Sequence, residues 1–144
     1  MLRSTRTVLG CALVVILVSS CTKQESDKST KIKVDYRQVA LEFTKSLATR
    51  DYAKAYAMAA EEYRKRTSLD QMRTAFEAIV PTDWEKIGAI QVGDTMTTWP
   101  TKKPSDLGRA YVSIGGDVYS EAVVVVVTLD SGEPKIREVE FGRP

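Results

Sequence analysis

The sequence Ser-Glu-Ala-Val-Val-Val-Val-Val-Thr-Leu at residues 120–129 decides the fold. Five consecutive valines favour an extended strand, in which successive side chains point to opposite faces of a sheet. The odd-numbered valines, joined by Leu129, would line one face, and Val124 and Val126 the other. A sheet with one face in water alternates apolar and polar residues, whereas this strand is apolar on both sides. We therefore expect both faces of the sheet to be covered.

The cover over Val124 and Val126 has two alternative sources. The chain can supply it, through a polar loop at 97–107 or through the long stems of Lys135 and Arg137. A second protein can supply it instead, because a large exposed apolar patch marks an interaction site. Both alternatives stay open on the sequence alone, and Val124 and Val126 are the candidate partner face.

Three further segments have strand character, at residues 87–92, 109–114 and 135–141. The glycine- and aspartate-rich stretches at 115–117 and 130–134 are typical of turns between antiparallel neighbours. The sheet is therefore predicted to have four antiparallel strands.

The chain before the sheet has helical periodicity in three segments. Asp35 with Gln38, and Ser68 with Gln71, have the spacing of capping boxes, and Pro81 ends the third segment. The predicted fold class is α+β, with three N-terminal helices packed on a four-stranded antiparallel sheet. The apolar faces of the three helices are Tyr36, Val39, Ala40, Phe43 and Leu47; Tyr52, Ala55, Tyr56 and Ala59; and Leu69, Met72, Phe76, Ile79 and Val80.

Residues 1–20 have the pattern of an export signal. Arg3 and Arg6 precede an apolar run at 8–18 that only Gly10 interrupts. A helix of that length reaches about 16 Å, roughly half of a ~30 Å hydrocarbon core. The run is therefore too short for a membrane span and suits a cleaved signal peptide.

The sequence Leu-Val-Ser-Ser-Cys at residues 17–21 resembles the lipobox of bacterial lipoproteins. The resemblance implies cleavage after Ser20, a diacylglycerol on the thiol of Cys21 and incorporation of palmitate. It places the protein in the cell envelope, facing the periplasm. Thr22 differs from the aspartate that retains enteric lipoproteins at the inner membrane, which favours the outer membrane. Residues 21–33 are polar and form a lipidated tether with a reach of about 20 Å.

The mature chain has no formal net charge and lacks two reactive residue types. Removal of Arg3 and Arg6 leaves 19 cationic residues against 19 acidic ones, so no footprint for nucleic acid is expected. The chain has no histidine; Cys11 leaves with the signal, and Cys21 carries lipid. Disulfides, thiolate or histidine metal sites and histidine catalysis are therefore excluded, and no cofactor is expected.

Residues 34–144 resemble the nuclear transport factor two-like superfamily, also called the cystatin-like cone. The likeness lies in Asp-Tyr-Ala-Lys-Ala-Tyr at 51–56, Glu-Tyr-Arg at 62–64, Thr-Ser-Leu at 67–69 and Ile-Arg-Glu-Val-Glu-Phe-Gly at 136–142. The resemblance implies a cone of helices and curved sheet around a pocket, with the outer sheet face often used for pairing. Isomerases, dehydratases, carriers and binding modules share this fold, so it implies no single function.

Two other functions are open beside protein binding. A small apolar ligand could occupy a pocket in the cone, although aromatic residues at helical spacing are more often plain core. An isomerase-like enzyme would need carboxylic acids beside a tyrosine, but Asp94 and Asp117 follow glycines and suit turns, so no catalytic residue is assigned. The charged run at 61–66 is explained by a solvated helix end. The candidate pocket residues are Tyr36, Phe43, Tyr56, Phe76 and Trp84.

The function predicted first is that of a lipid-anchored, non-catalytic cell-envelope protein that acts by protein–protein binding. Its partner would be a second copy, an envelope assembly or a toxin that it neutralises. A carrier or sensor of a small apolar ligand is the second prediction, and an isomerase-like enzyme is the third.

Overall fold

The computed structural model describes residues 34–84, 86–116 and 120–142. These residues belong to one compact unit, Ile32–Pro144. The predicted signal peptide, the tether with Cys21 and the turn residue Asp117 lie outside the described residues. Within the described ranges, no helix is long and apolar enough to cross a membrane.

Helices come first in the described chain: α1 is Tyr36–Ala48, α2 is Tyr52–Ala57, α3 is Glu61–Arg66 and α4 is Leu69–Ile79. The capping box predicted at the start of α4 is confirmed, because the Ser68 side chain accepts from the Gln71 N–H and the Gln71 side chain accepts from the Ser68 N–H. At the start of α1 the Asp35 carboxylate accepts from the Arg37 N–H, at 3.0 Å.

The described residues form four helices where the periodicity predicts three. The predicted second helix ends at Ala57, because the chain then pairs with the edge of the sheet in a parallel bridge between Ala59 and Ile136. The Ile136 N–H donates to the Met58 carbonyl at 2.9 Å, and the Ala60 N–H donates to the Ile136 carbonyl at 2.8 Å. These bonds compete with helix continuation, so the charged run Glu61–Arg66 becomes a separate helix.

The sheet has the four predicted antiparallel strands, in the order β1-β2-β3-β4. Strand β1 is Ile87–Met96, β2 is Asp106–Gly116, β3 is Ser120–Asp130 and β4 is Glu133–Phe141. Ser131 and Gly132 join β3 to β4, both at positive φ, as a tight two-residue hairpin turn requires. The overall class is α+β, as predicted.

The core lies between the helices and the inner face of the sheet, where Val123, Val125 and Val127 are fully buried as predicted. Helix α1 crosses this face and contacts all four strands. Leu129 does not join the inner face, and 42% of its surface is exposed, because it lies at the end of β3 beside the turn. The largest fully buried side chains of the helices are those of Phe43, Leu47, Met72 and Phe76.

Candidate functional site

The face of the sheet opposite the helices includes two adjacent rows of side chains that the strand register aligns. Residues directly opposite each other in antiparallel strands point to the same face. We call the seven residues of these rows the outer face: Met96, Arg109, Val126 and Glu138 in one row, and Tyr111, Val124 and Glu140 in the other.

Val124 and Val126 form the floor of the outer face and are only 6% and 3% exposed. Arg109 is the β2 neighbour of Val126, and Glu140 is the β4 neighbour of Val124. The Arg109 Nη2 and the Glu140 Oε2 form a salt bridge of 2.8 Å that joins β2 to β4 over β3. The aliphatic stem of Arg109 thus covers apolar surface while its charged end stays near water.

Of the two alternatives for the cover over Val124 and Val126, the candidate partner face, burial of both valines favours cover by the chain itself. The strand register places Arg109 on β2 beside Val126 and Glu140 on β4 beside Val124. Lys135 and Arg137, the two side chains predicted for this role, lie on β4 and pair with Glu133 and Asp106; cover of the valines by their stems stays a prediction. The register of β2 against β3 brings Arg109 beside Val126, and a single sequence does not reveal that register.

The side chains of Met96 and Tyr111 lie in the same two rows as the valines on the outer face. Met96 is 49% exposed, and Tyr111 is half-buried. Gly93 makes room for the tyrosine ring, because a Cβ at Gly93 would lie 3.2 Å from the Tyr111 Cδ1. Tyrosine, methionine and arginine are enriched in protein–protein interfaces. The outer face therefore presents an aromatic ring, a thioether and an ion pair on a rigid valine floor.

A buried ion pair lies at one end of the sheet, between Asp106 at the start of β2 and Arg137 on β4. The Arg137 Nε donates to the Asp106 Oδ1 at 2.8 Å, and its Nη2 donates to the Oδ2 at 2.9 Å. Arg137 is the extra residue of an irregularity in β4 between Ile136 and Glu138, which changes its orientation. The Lys103 N–H also donates to the Asp106 Oδ2, at 2.7 Å.

Both members of this pair are charged at neutral pH. Burial alone would raise the pKa of the Asp106 carboxyl, but hydrogen bonds from Arg137 and from the Lys103 N–H outweigh it and hold this pKa below its usual value. Burial would likewise lower the pKa of Arg137, but Asp106 holds it above its ordinary value. The remaining Arg137 Nη1 lies 3.1 Å from the Glu138 carboxylate. All three guanidinium nitrogens thus have acidic partners, so Arg137 offers no vacant site for an anion. The ion pair stabilises the end of the connection at residues 97–105.

A second polar group links α2 to α4 through Tyr52. The Tyr52 hydroxyl donates to the Glu77 Oε1 at 2.9 Å and accepts from the Arg50 Nη1 at 3.0 Å. Burial is the main cause that raises the pKa of Tyr52, so the hydroxyl stays protonated at neutral pH. Arg50 also donates to the Pro81 carbonyl and lies over the Phe76 ring. These contacts brace the helices against one another.

The five candidate pocket residues lie in or against the hydrophobic core. Phe43 and Phe76 are fully buried, and the other three are partly buried against the same cluster. The Tyr56 hydroxyl donates to the Thr67 carbonyl at 3.0 Å. The Tyr36 ring lies against Gly108, where a Cβ would collide with it, and Trp84 precedes β1. A ligand pocket formed by these residues stays a prediction.

The remaining predicted site residues are placed as follows. Asp94 is an exposed residue of β1, while Asp117 and Cys21 lie outside the described residues. In the part of the chain that the structure describes, no three His, Cys, Asp or Glu residues form a group that could hold a metal ion.

Sequence reasoning missed both cross-strand ion pairs, Arg109 with Glu140 and Asp106 with Arg137. In each pair the partners are 31 residues apart. The available signal was the presence of charged residues inside strands that are otherwise apolar.

Comparison of the chain with protein-family models, with curated proteins and with solved structures finds no match.

Proposed function

We propose that this protein is a lipid-anchored component of a bacterial cell envelope, and that its folded part binds another protein through the outer face of the sheet. The folded part faces the periplasm, and the outer membrane is favoured over the inner one. The function is non-catalytic.

The anchor is supported by the sequence at residues 17–21 and by what surrounds it. A positive start and a short apolar run precede the motif, and a polar tether follows it. Two acyl chains on Cys21 would give the stable membrane attachment that a single chain does not provide. The 12 residues between Cys21 and Val34 would hold the folded part within about 20 Å of the headgroups.

The proposal includes a cone-like fold of the nuclear transport factor two-like type. It is supported by the order of the elements, with every described helix before the sheet and a meander of four antiparallel strands after them. In such a fold the helices cover one sheet face, and the other face is left for pairing.

Protein binding is supported most directly by the composition of the outer face. Val124 and Val126 give it a buried floor of β-branched side chains, whose χ1 angles are already restricted before a partner binds above them. Met96 and Tyr111 offer apolar surface beside the Arg109–Glu140 salt bridge. The salt bridge determines where charged groups of a partner would bind. The single observation that carries the proposal is this juxtaposition of exposed Met96 and half-buried Tyr111 on a closed sheet face.

A non-catalytic role is supported by how the polar groups are used. The buried Asp106 carboxylate is neutralised by Arg137, and the Tyr52 hydroxyl bridges Glu77 and Arg50. Groups saturated in this way are poor general acids and bases. The partner is a second copy, an envelope assembly or a delivered toxin.

Photo-crosslinking in living cells tests the proposal. A photoreactive amino acid at the position of Met96 should give a covalent adduct of higher mass, and the same residue at exposed Ala78 on α4 should not. Tyr111→Asp in the same chain should remove the adduct while thermal melting shows that the domain stays folded. Equal adducts at both positions, or none at Met96, would remove the outer face as the binding surface.

A further inference from the structure

We infer that the loop at residues 97–105 docks the folded part onto an anionic membrane surface, with Trp99 at the level of the lipid headgroups and Lys102 among their phosphates. This deepens the proposed function, because it rests on the lipid anchor at Cys21. Three features of the loop support it: its position, an unpaired indole N–H and its charge.

The loop lies at the end of the domain where the tether joins it. Thr97, at the start of the loop, and Leu107, in β2 just after its end, line one groove together with the four residues 34–37, and this groove has a volume of about 630 Å³. The tether enters at Val34 and reaches about 20 Å from its lipid. The end of the domain that carries Val34 therefore stays near the headgroups, and the loop with it.

Trp99 has a hydrogen-bond donor without an acceptor. Its side chain is partly buried, and the indole Nε1 is buried with no partner among the residues that the structure describes. An unpaired buried donor is costly, and tryptophan concentrates at membrane interfaces because its ring is apolar while its N–H finds a polar partner there. Phosphate and ester oxygens of a headgroup are acceptors of the required kind, which the buried N–H would reach when the ring turns outward on docking.

The same end of the domain carries two cationic side chains, Lys102 and Arg37, that form no ion pair with an acidic side chain in the described part of the protein. The Lys102 Nζ lies 5.7 Å from the centre of the Trp99 ring and donates to the Thr97 carbonyl at 2.6 Å. Neither Lys102 nor Arg37 forms an ion pair with a carboxylate in the described ranges. In the sequence, Lys31 and Lys33 come directly before the domain. Each cation near an anionic surface strengthens attraction to it about fivefold.

The chain contains an internal control for this docking. It has two tryptophans, Trp84 just before β1 and Trp99 just after it. A strand of this length spans about 30 Å, so the two rings lie at opposite ends of the sheet. Docking by the loop would bring lipid to Trp99 and leave Trp84 in water or protein.

The experiment uses the full lipidated chain in vesicles of phosphatidylglycerol and phosphatidylethanolamine that contain brominated lipid. Trp84→Phe leaves only Trp99, and Trp99→Phe leaves only Trp84. The inference predicts that bromine near the headgroup quenches Trp99 fluorescence and leaves Trp84 fluorescence unchanged. Lys102→Glu should reduce the quenching of Trp99, whereas Lys86→Glu, before β1, should not. If Trp84→Phe destabilises the fold, the difference between the wild-type chain and Trp99→Phe gives the same signal.

Three results would overturn the inference. Vesicles that float with the chain while Trp99 stays unquenched would reject loop docking and leave the anchor intact. Quenching of Trp99 by aqueous iodide to the same extent with and without vesicles would show that the loop stays in water. Failure of the wild-type chain to float with the vesicles would reject both the anchor and the docking that rests on it.

Discussion

Arg109 on β2 and Glu140 on β4 form a salt bridge over the intervening strand β3, with 2.8 Å between the Arg109 Nη2 and the Glu140 Oε2. The bridge lies in the two rows that contain Val124 and Val126, which explains how a strand that is apolar on both faces is accommodated. The two valines are buried within the sheet, and the surface open to a partner consists of the side chains that lie over them on the outer face. The proposed contacts of the protein therefore involve Tyr111, Met96 and this ion pair.

Burial of the valine floor predicts that Val124→Glu destabilises the fold. The new carboxylate would occupy a site that is 6% exposed, so the free energy of unfolding should fall by about 3 kcal/mol. Chemical denaturation of a lipid-free form that begins at residue 34 measures the change. Gln91→Glu, at an exposed position of β1, is the control and should change stability by less than about 0.5 kcal/mol. Wild-type stability of Val124→Glu would mean that the valine is open to solvent.

Removal of one partner from the buried ion pair should cost more than removal of both. Asp106→Asn leaves the buried Arg137 guanidinium without its carboxylate, so we expect a loss of about 3–5 kcal/mol in the free energy of unfolding. The double variant Asp106→Leu with Arg137→Met removes both charges and should recover most of that loss. Denaturation of the wild type, of the single variants Asp106→Leu and Arg137→Met and of the double variant forms a double-mutant cycle. Additive losses would show that the two side chains do not interact.

The same pair predicts how stability depends on pH. The ordinary pKa of an aspartate is 3.8, and the pKa of Asp106 in the folded protein is held below it. The unfolded chain therefore binds this proton first as the pH falls, so the stabilisation by Asp106 is complete above about pH 4 and is lost at lower pH. Unfolding free energies of the wild type and Asp106→Asn should converge as the pH falls below 4. A constant difference across that range would exclude the carboxylate as the cause.

The Tyr36 ring lies so close to β2 that it leaves no room for a side chain at Gly108. A Cβ at Gly108 would collide with the Tyr36 ring, so Gly108→Ala should lower the free energy of unfolding by about 1–3 kcal/mol. Tyr36→Leu in the same chain removes the collision and should make Gly108→Ala much less costly than in the wild type. Thermal melting of both single variants and the double variant tests this. An equal cost of Gly108→Ala in both backgrounds would place the strain elsewhere.

Much of the fold follows from local sequence patterns. The four strands, the inner position of Val123, Val125 and Val127 and the capping box at Ser68 depend on side-chain alternation and on spacings of a few residues. The end of α2 does not, because it is decided by hydrogen bonds to Ile136, which is distant in the sequence. Periodicity therefore predicts the helices better than their boundaries.

The outer face was predicted only in part. Alternation identifies the apolar floor at Val124 and Val126, but it does not show which side chains stand above the floor. That depends on the registers of β2 and β4 against β3, which bring Arg109 and Glu140 together. The pair Asp106–Arg137 depends in addition on an irregularity in β4, and no single-sequence pattern predicts that irregularity.

The measurement that tests the central claim most directly is metabolic labelling with palmitate in cells that express the full chain. The chain contains two cysteines, Cys11 and Cys21, which supply a matched pair of variants. We predict that the wild type and Cys11→Ser incorporate palmitate and are shortened by signal cleavage. We also predict that Cys21→Ser remains unlabelled and at its precursor length. Labelling and cleavage of Cys21→Ser to the wild-type level would contradict the lipid anchor on which the proposed function depends.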